Sequence, residues 1–381
     1  MTGKNTLTVD VDGSNLNKCW IEMKLSDGSF EEMVAFDESD LEAVVETSPD
    51  GTAVENIESG IREGFDIMWA SDERDELLMW YGANNGGSGT EMYRAESPEG
   101  DPTSFGNEQL VFTNPTSGED KAESPAIFYD RDSDTLYMYY EHSASDDTGS
   151  GHGYVGIAEA DSRSGLNWSH VDIIGDDEWD HSWSFASPEV WKYEGEYFIA
   201  GEEHTTGDRD LMVAKGPSPD DFNTDVTIAA DSDDFDFDNH IALKGTFFGA
   251  DGNLYTTMNP QWDDGSYNVL PFWSGGYDND NFPTSWSEGS RNTEYQQNNI
   301  LFLFNQMYVY GFSSASDDAD VVYWKLDGTR VEKSLPDDGG QVSFDFYQTD
   351  LPPGSTVEWR AVVQFNDGAT ERTNSETFTV S

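Results

Sequence analysis

Short apolar runs separated by turn residues recur along this chain, always in the same order. SPAIFYDRDSDTLYMYYEH, Ser124 to His142, returns about 60 residues later as SPEVWKYEGEYFIAGEEH, Ser187 to His204. Each phrase is Ser-Pro, an apolar run, a turn, an aromatic run and Glu-His. Taking the aromatic run and the segment after it as the marker, five copies align. They are LLMWYGANNGGSGTEMYRAES from Leu77, LYMYYEHSASDDTGSGHGYVGIAEA from Leu136, YFIAGEEHTTGDRDLMVAKG from Tyr197, LYTTMNPQWDDGSYNVLPFWSGG from Leu254 and MYVYGFSSASDDADVVYWKLDG from Met307. Each follows an apolar strand and a tight turn: FDIMWASDERDE, SPAIFYDRDSDT, SPEVWKYEGE, NHIALKGTFFGADGN and NNILFLFNQ. Pairs such as Glu194-Gly195 and Asp251-Gly252 stand where hairpins turn. Helical character is confined to ESDLEAVVE, Glu38 to Glu46, with Asp37 or Ser39 as its cap.

Runs this short, repeating every 55 to 60 residues or roughly so, predict an all-β chain built as a five-bladed β-propeller over residues 56–327. In such a ring the first strand of each blade lines the axis, and its start opens into a central funnel. The flanks alternate differently. Residues 328–381 carry QVSFDFYQ, STVEWRAVVQF and SETFTV, each with the period of a half-buried strand. These are too few for a complete sandwich. Either the N-terminal β segment 1–55, with TLTVDVDG and KCWIEMKLSDG, completes the sandwich or the ring, or the C-terminal unit takes ADVVYWKL from the fifth blade. Residues 312–327 belong to one or the other.

Charge changes the picture next. The chain has 76 Asp and Glu against 19 Lys and Arg, a formal net charge of -57. The acids are spread evenly, and 12 Trp, 17 Tyr and 22 Phe argue for a packed core rather than disorder. Such a surface repels itself in dilute salt and is screened at molar salt, where the Debye length is about 3 Å. The expected setting is therefore very high salt, in a halophilic archaeon or a virus of one. With no basic stripe, nucleic acid is an unsuitable partner. Cys19 stands alone, so no internal disulfide or cysteine metal cluster is expected. MTGKNTLTVDVDG has no apolar signal region and no run approaches membrane-spanning length. A virion surface is the favoured location, with the cytoplasm as the alternative, and no membrane insertion is expected.

DELLMWYGANNGGSGTEMYRAESPEGDPTSFG, with Met79-Trp80-Tyr81 and Ala95-Glu96-Ser97-Pro98-Glu99-Gly100, resembles the five-bladed propeller glycosidases, the superfamily of arabinanases, xylosidases and fructosidases. SPAIFYDRDSDTLYMYY and SPEVWKYEGEYFIAGE resemble its second and third blades, and the likeness runs from about Gly64 to Gly328. DLPPGSTVEWRAVVQF similarly resembles the end of a fibronectin type III or Ig-like sandwich. The glycosidase resemblance implies an Asp at the start of blade one, an Asp just after the Pro of blade two and a Glu two residues before the Pro of blade three. Asp66 fits the first place, but Ala126 and Ala186 stand at the other two. Glycoside cleavage normally needs a pair of carboxylates. Glu123 and Glu189 lie close by and could form a rearranged set with Asp66, but a step of one residue along a strand turns a side chain to the other face.

Other chemistry is weighed against plain structural roles. His142 and His204 repeat after aromatic strands and cap turns more readily than they bind metal. DRDSD, Asp130 to Asp134, and DSDDFDFDNH, Asp231 to His240, look like calcium loops but lack the spaced ligand pattern. No cofactor is required, and calcium is the one compatible ion. DDEWDHSWSF brings Trp179, His181 and Trp183, and QWDDGSYNVLPFWSGGYDNDNFPTSW brings Trp262, Tyr267, Phe272, Trp273, Tyr277 and Trp286, beside Gly, Asp and Asn. Aromatic faces with polar rims suit a sugar. The expected function is recognition of a cell-surface glycan without cleavage, as a virion-surface or adhesion component acting in several copies or as a homo-oligomer. Its ligand set is Asp66, Trp179, His181, Trp183, Glu189, His240, Trp262 and Trp273. The alternatives are an active glycoside hydrolase using Asp66 with Glu123 and Glu189, and a purely structural assembly protein.

Overall fold

The computed structural model describes residues 5–24, 28–37, 39–40, 51–57, 61–72, 74–84, 90–113, 121–143, 154–160, 162–174, 185–193, 195–203, 210–222, 226–231, 243–248, 253–258, 270–276, 285–288, 295–303, 306–313, 321–346 and 354–380. The chain is a five-bladed β-propeller with a small β-sandwich. Blade one comprises Ile61–Trp69, Glu76–Asn84, Thr90–Pro98 and Gly106–Phe112, and blade two Lys121–Asp130, Thr135–Ser143, Tyr154–Ala160 and Trp168–Ile174. Blade three comprises Phe185–Tyr193, Glu196–Glu203, Leu211–Gly216 and Thr227–Ala230, and blade four Leu243–Phe248, Asn253–Met258, Leu270–Gly276 and Trp286–Glu288. Blade five takes Tyr295–Leu303, Gln306–Ser313 and Val321–Asp327 from its own stretch. Its outermost strand, Thr52–Ala53, comes from before blade one. First strands touch in a closed cycle, with Tyr295–Leu303 returning to Ile61–Trp69.

The second strands explain the unbroken apolar runs. In LLMWYGA, Leu77, Met79 and Tyr81 pack toward blade five, in one cluster with Tyr308 and Tyr310. Leu78 and Trp80 face the other way, in a cluster with Leu136, Met138 and Tyr140 of blade two. Tyr137 and Tyr139 then pack on Tyr197 and Ile199 of blade three. A strand covered on both faces has no polar side to show, so alternation vanishes from its sequence.

The flanks meet each other. Asn5–Asp12 pairs antiparallel with Gly339–Phe346, and Leu16–Lys24 pairs with Thr356–Phe365. Leu7, Val9, Ile21, Met23, Phe344, Trp359 and Val363 form the core between these sheets. Val321–Asp327, left open by the sequence, lies in the blade-five sheet. Of the segment read as helical, only Ser39 and Asp40 are described, and the Asp37 carboxylate accepts the Ser39 N–H at 2.9 Å.

Several of the scarce cations sit where units join. Arg163 and Arg131 of blade two both bind Asp72 of blade one, at 2.7 and 2.5 Å. Arg131 also donates to Ser355 Oγ of the sandwich at 2.9 Å, and Arg74 to the Lys24 carbonyl at 3.2 Å. Lys192 of blade three reaches Asp132 and Asp130 of blade two, and Tyr197 donates to Asp130 at 2.9 Å. Asp72, Arg74, Arg131 and Asp132 lie in turns between first and second strands. The sandwich therefore packs on the turn end of the ring, and the first strands begin at the opposite end.

Candidate functional site

Every first strand carries a register shift near its start, between Glu63 and Phe65, Glu123 and Ala126, Ala186 and Glu189, Lys244 and Thr246, and Gln296 and Asn298. In blades one to three the residue that makes it is left-handed: Gly64 at φ 59°, Ser124 at 47° and Ser187 at 49°. The repeated Ser-Pro is thus a β-bulge, two residues set against one on the partner strand. Neither the positive φ nor the bulge was foreseen from sequence, although Gly64 occupies the same place and is the residue best suited to it.

The bulge decides which residues are equivalent. Asp66 lies opposite Trp80, Ala126 opposite Tyr139, Glu189 opposite Ala200, Phe247 opposite Tyr255 and Asn299 opposite Tyr310. These share one place just after the bulge. Just before it stand Glu63, Glu123, Ala186, Lys244 and Gln296. The two places are three residues apart along the chain but two along the ladder, so they have the same facing. The one-step inversion expected from sequence therefore does not apply across this segment.

Asp66 is half-buried and held from three sides. Its Oδ1 accepts from Ile67 N at 2.7 Å and from Asn299 Nδ2 at 2.7 Å, and its Oδ2 accepts from Ile127 N at 2.6 Å. Glu123 is fully buried and accepts from Thr90 Oγ1, which is itself 1 % exposed. Glu189 is half-buried, and Ala126 presents a methyl group that is 3 % exposed. Glu202, opposite Ala186, is another buried acid of this end of blade three. Asn299, Thr90 and Glu202 escaped the sequence reading. Their only signal is position relative to a bulge.

His142 is fully buried, its ring stacked on His170 at 6.3 Å, and the Tyr140 hydroxyl lies 3.0 Å from His170 Nδ1. Burial pushes His170 below the ordinary imidazole range, with Asp172 opposing. In the DRDSD turn, Asp130 accepts from Ser133, Tyr197 and Lys192, and Asp134 accepts from Tyr129 at 2.6 Å. Among the described residues no three His, Cys, Asp or Glu side chains gather to hold a metal ion. Trp273 belongs to the third strand of blade four, opposite Tyr255 and Ser287, rather than to a loop. Trp286 donates to the Ala229 carbonyl at 2.9 Å, between blades four and three. Trp179, His181, Trp183, His204, His240 and Trp262 lie outside the described residues.

No family profile matches the sequence, and no curated protein matches it. Solved structures do share its fold. A GH32 β-fructofuranosidase from Bombyx mori superposes with a TM-score of 0.53 over 90 % of this chain and 87 % of its own, at 11 % identity. An exo-β-1,3-galactanase from Clostridium thermocellum gives 0.54 over 85 % and 77 %, at 10 % identity. An endo-arabinase from Bacteroides thetaiotaomicron gives 0.55 over 74 % and 99 %, at 11 % identity. At such identities the likeness is one of fold.

Proposed function

We propose that the chain recognises carbohydrate at the funnel where the first strands begin, and does not cleave it. One observation carries this reading. At the place after the bulge that holds Asp66 and Glu189, blade two offers the methyl of Ala126, and its nearest acid, Glu123, is buried against Thr90. A cleavage site needs an acid and a base both open to the substrate. Asp66, whose carboxylate accepts from two backbone N–H groups and an amide, is better suited to a fixed hydrogen-bond rim than to moving protons. Fold neighbours that act on fructosides, galactans and arabinans make a sugar the favoured ligand class.

Sugar sites of this kind are weak singly, so attachment calls for several copies. The sandwich packs at the turn end, which leaves the funnel end for a ligand and suits a display protein on a virion or cell surface. With its charge of -57, the protein is suited to glycosylated envelopes in concentrated salt. A second reading, a glycoside hydrolase with a rearranged acid pair, draws on the equal facing of Asp66 and Glu189.

One experiment separates them. The purified protein, in molar KCl, is mixed with haloarchaeal envelope glycans and with arabino-, xylo- and fructo-oligosaccharides, and retention and reducing-sugar release are read together. Retention without release is expected. Release that disappears in Glu189→Gln would establish the hydrolase. Envelope attachment that survives removal of the glycans would leave only a structural role.

A further inference from the structure

Asp66 belongs to the first blade and Asn299 to the last, so they face each other across the seam where the ring closes. Asn299 is 6 % exposed, and its Nδ2 donates to Asp66 Oδ1 at 2.7 Å and to the Phe65 carbonyl at 3.5 Å. On the other side Asp66 Oδ2 takes the blade-two amide of Ile127 at 2.6 Å. One carboxylate thus spans three blades at the axis. At the rim the same seam is closed by Thr52–Ala53, two exposed residues that pair with Val322 and Tyr323. Tyr310 adds an O–H···O bond to the Pro102 carbonyl at 2.7 Å and an edge contact with Phe65.

We infer that Asn299 is a positioning residue: it fixes the Asp66 carboxylate at the axis and, through it, couples the ligand rim to closure of the ring. The part concerning ligand rests on the glycan-binding reading above; the part concerning closure does not. An amide suits this task because it donates without carrying charge, which another acid at that place cannot do at neutral pH. Two ionised carboxylates at that distance repel each other, so one of them takes up a proton more readily than usual as the pH falls, and only then can it donate. An aspartate at 299 would therefore regain the bond only in acid. Around the bulges the first strands also carry Glu63 on the strand of Asp66 itself, and Glu123, Glu189 and Lys244 on those of blades two, three and four. Each variant is accordingly compared with wild type at the same pH.

The test uses the full chain in molar KCl with two readings, glycan retention and the thermal unfolding midpoint. Asn299→Asp should lose at least about tenfold in retention at pH 7 and recover to within about threefold of wild type near pH 4.5, where a proton is shared. Asn299→Leu should lose retention at both. The exchange Asp66→Asn with Asn299→Asp should recover part of the unfolding midpoint but not retention: an amide can again donate to a carboxylate across the seam, but its NH2 then faces a backbone N–H that Asp66 accepts from, and the charge sits on the wrong blade. Wild-type retention in Asn299→Asp at pH 7, or an equal loss at both pH values, would overturn the positioning role. Should wild type retain no glycan, the functional reading fails by itself. The closure role is then judged on midpoints alone, and strictly additive losses in the exchange would overturn it.

Discussion

Ser124 and Ser187 hold the same left-handed backbone, φ 47° and 49°, at the same place in consecutive blades, each followed by a proline. Positive φ is costly for a residue with a side chain, and a following proline narrows the choices further. Among the described residues, the buried Ser124 Oγ has no hydrogen-bond partner. Ser124→Gly should therefore leave stability unchanged or raise it by up to about 1 kcal/mol, whereas Ser187→Val should lower it by roughly 2 kcal/mol. Reversible denaturant unfolding in high salt reads both. A Ser187→Val protein as stable as wild type, or a Ser124→Gly protein clearly less stable, would contradict a strained bulge.

Gly354 marks the junction between sandwich and ring. It has φ 86°, and an added Cβ would stand 2.5 Å from Arg131 Cδ. That arginine holds Asp72 of blade one and Ser355 of the sandwich. Gly354→Ala is expected to cost about 1–3 kcal/mol, through backbone strain and displacement of Arg131. Part of this should disappear when Arg131→Ala is already present. Simple additivity of the two would show that the arginine does not feel the methyl.

Glu22 gives the sandwich a pH dependence. Burial alone would raise its carboxyl, but hydrogen bonds and charge from Arg372 and Arg360 outweigh burial and hold it below the ordinary range. A depressed folded value means stability that is fully present above the unfolded value, about 4.3, and is lost as pH falls through the folded one. Glu22→Gln should thus cost about 1–3 kcal/mol near pH 7 and progressively less below pH 4. A difference from wild type that stays constant from pH 7 to pH 3 would rule out this linkage.

The excess of acid predicts a salt requirement. With a charge of -57, self-repulsion falls as the Debye length shrinks from about 10 Å at 0.1 M to 3 Å at 1 M. The unfolding midpoint should rise steadily with KCl across that range, while the pairs Arg163–Asp72 and Lys192–Asp130, partly shielded from solvent, persist. A midpoint that is flat or falling with salt would show that cation bridges at blade junctions matter more than net repulsion.

Taken alone, the sequence determined the repeat, the blade number and the strands that face axis and core. These are written locally: turn residues end each run, and LLMWY or LYMYY is apolar throughout because both its faces are covered. It also assigned Asp66, Glu123 and Glu189 to first strands, although Asp66 and Glu189 lie in the middle of theirs rather than at the start. What it did not carry is register. Only the folded ring set Asp66, Ala126, Glu189 and Asn299 in one place, because a bulge counts two residues as one and no local pattern announces it. Likewise, Thr52–Ala53 closes blade five, and Asn5–Asp12 finds Gly339–Phe346 at the far end of the chain. Pairing between distant strands is made by backbone hydrogen bonds that every residue but proline can make, so the partner is chosen by the packing of the whole molecule rather than by either segment.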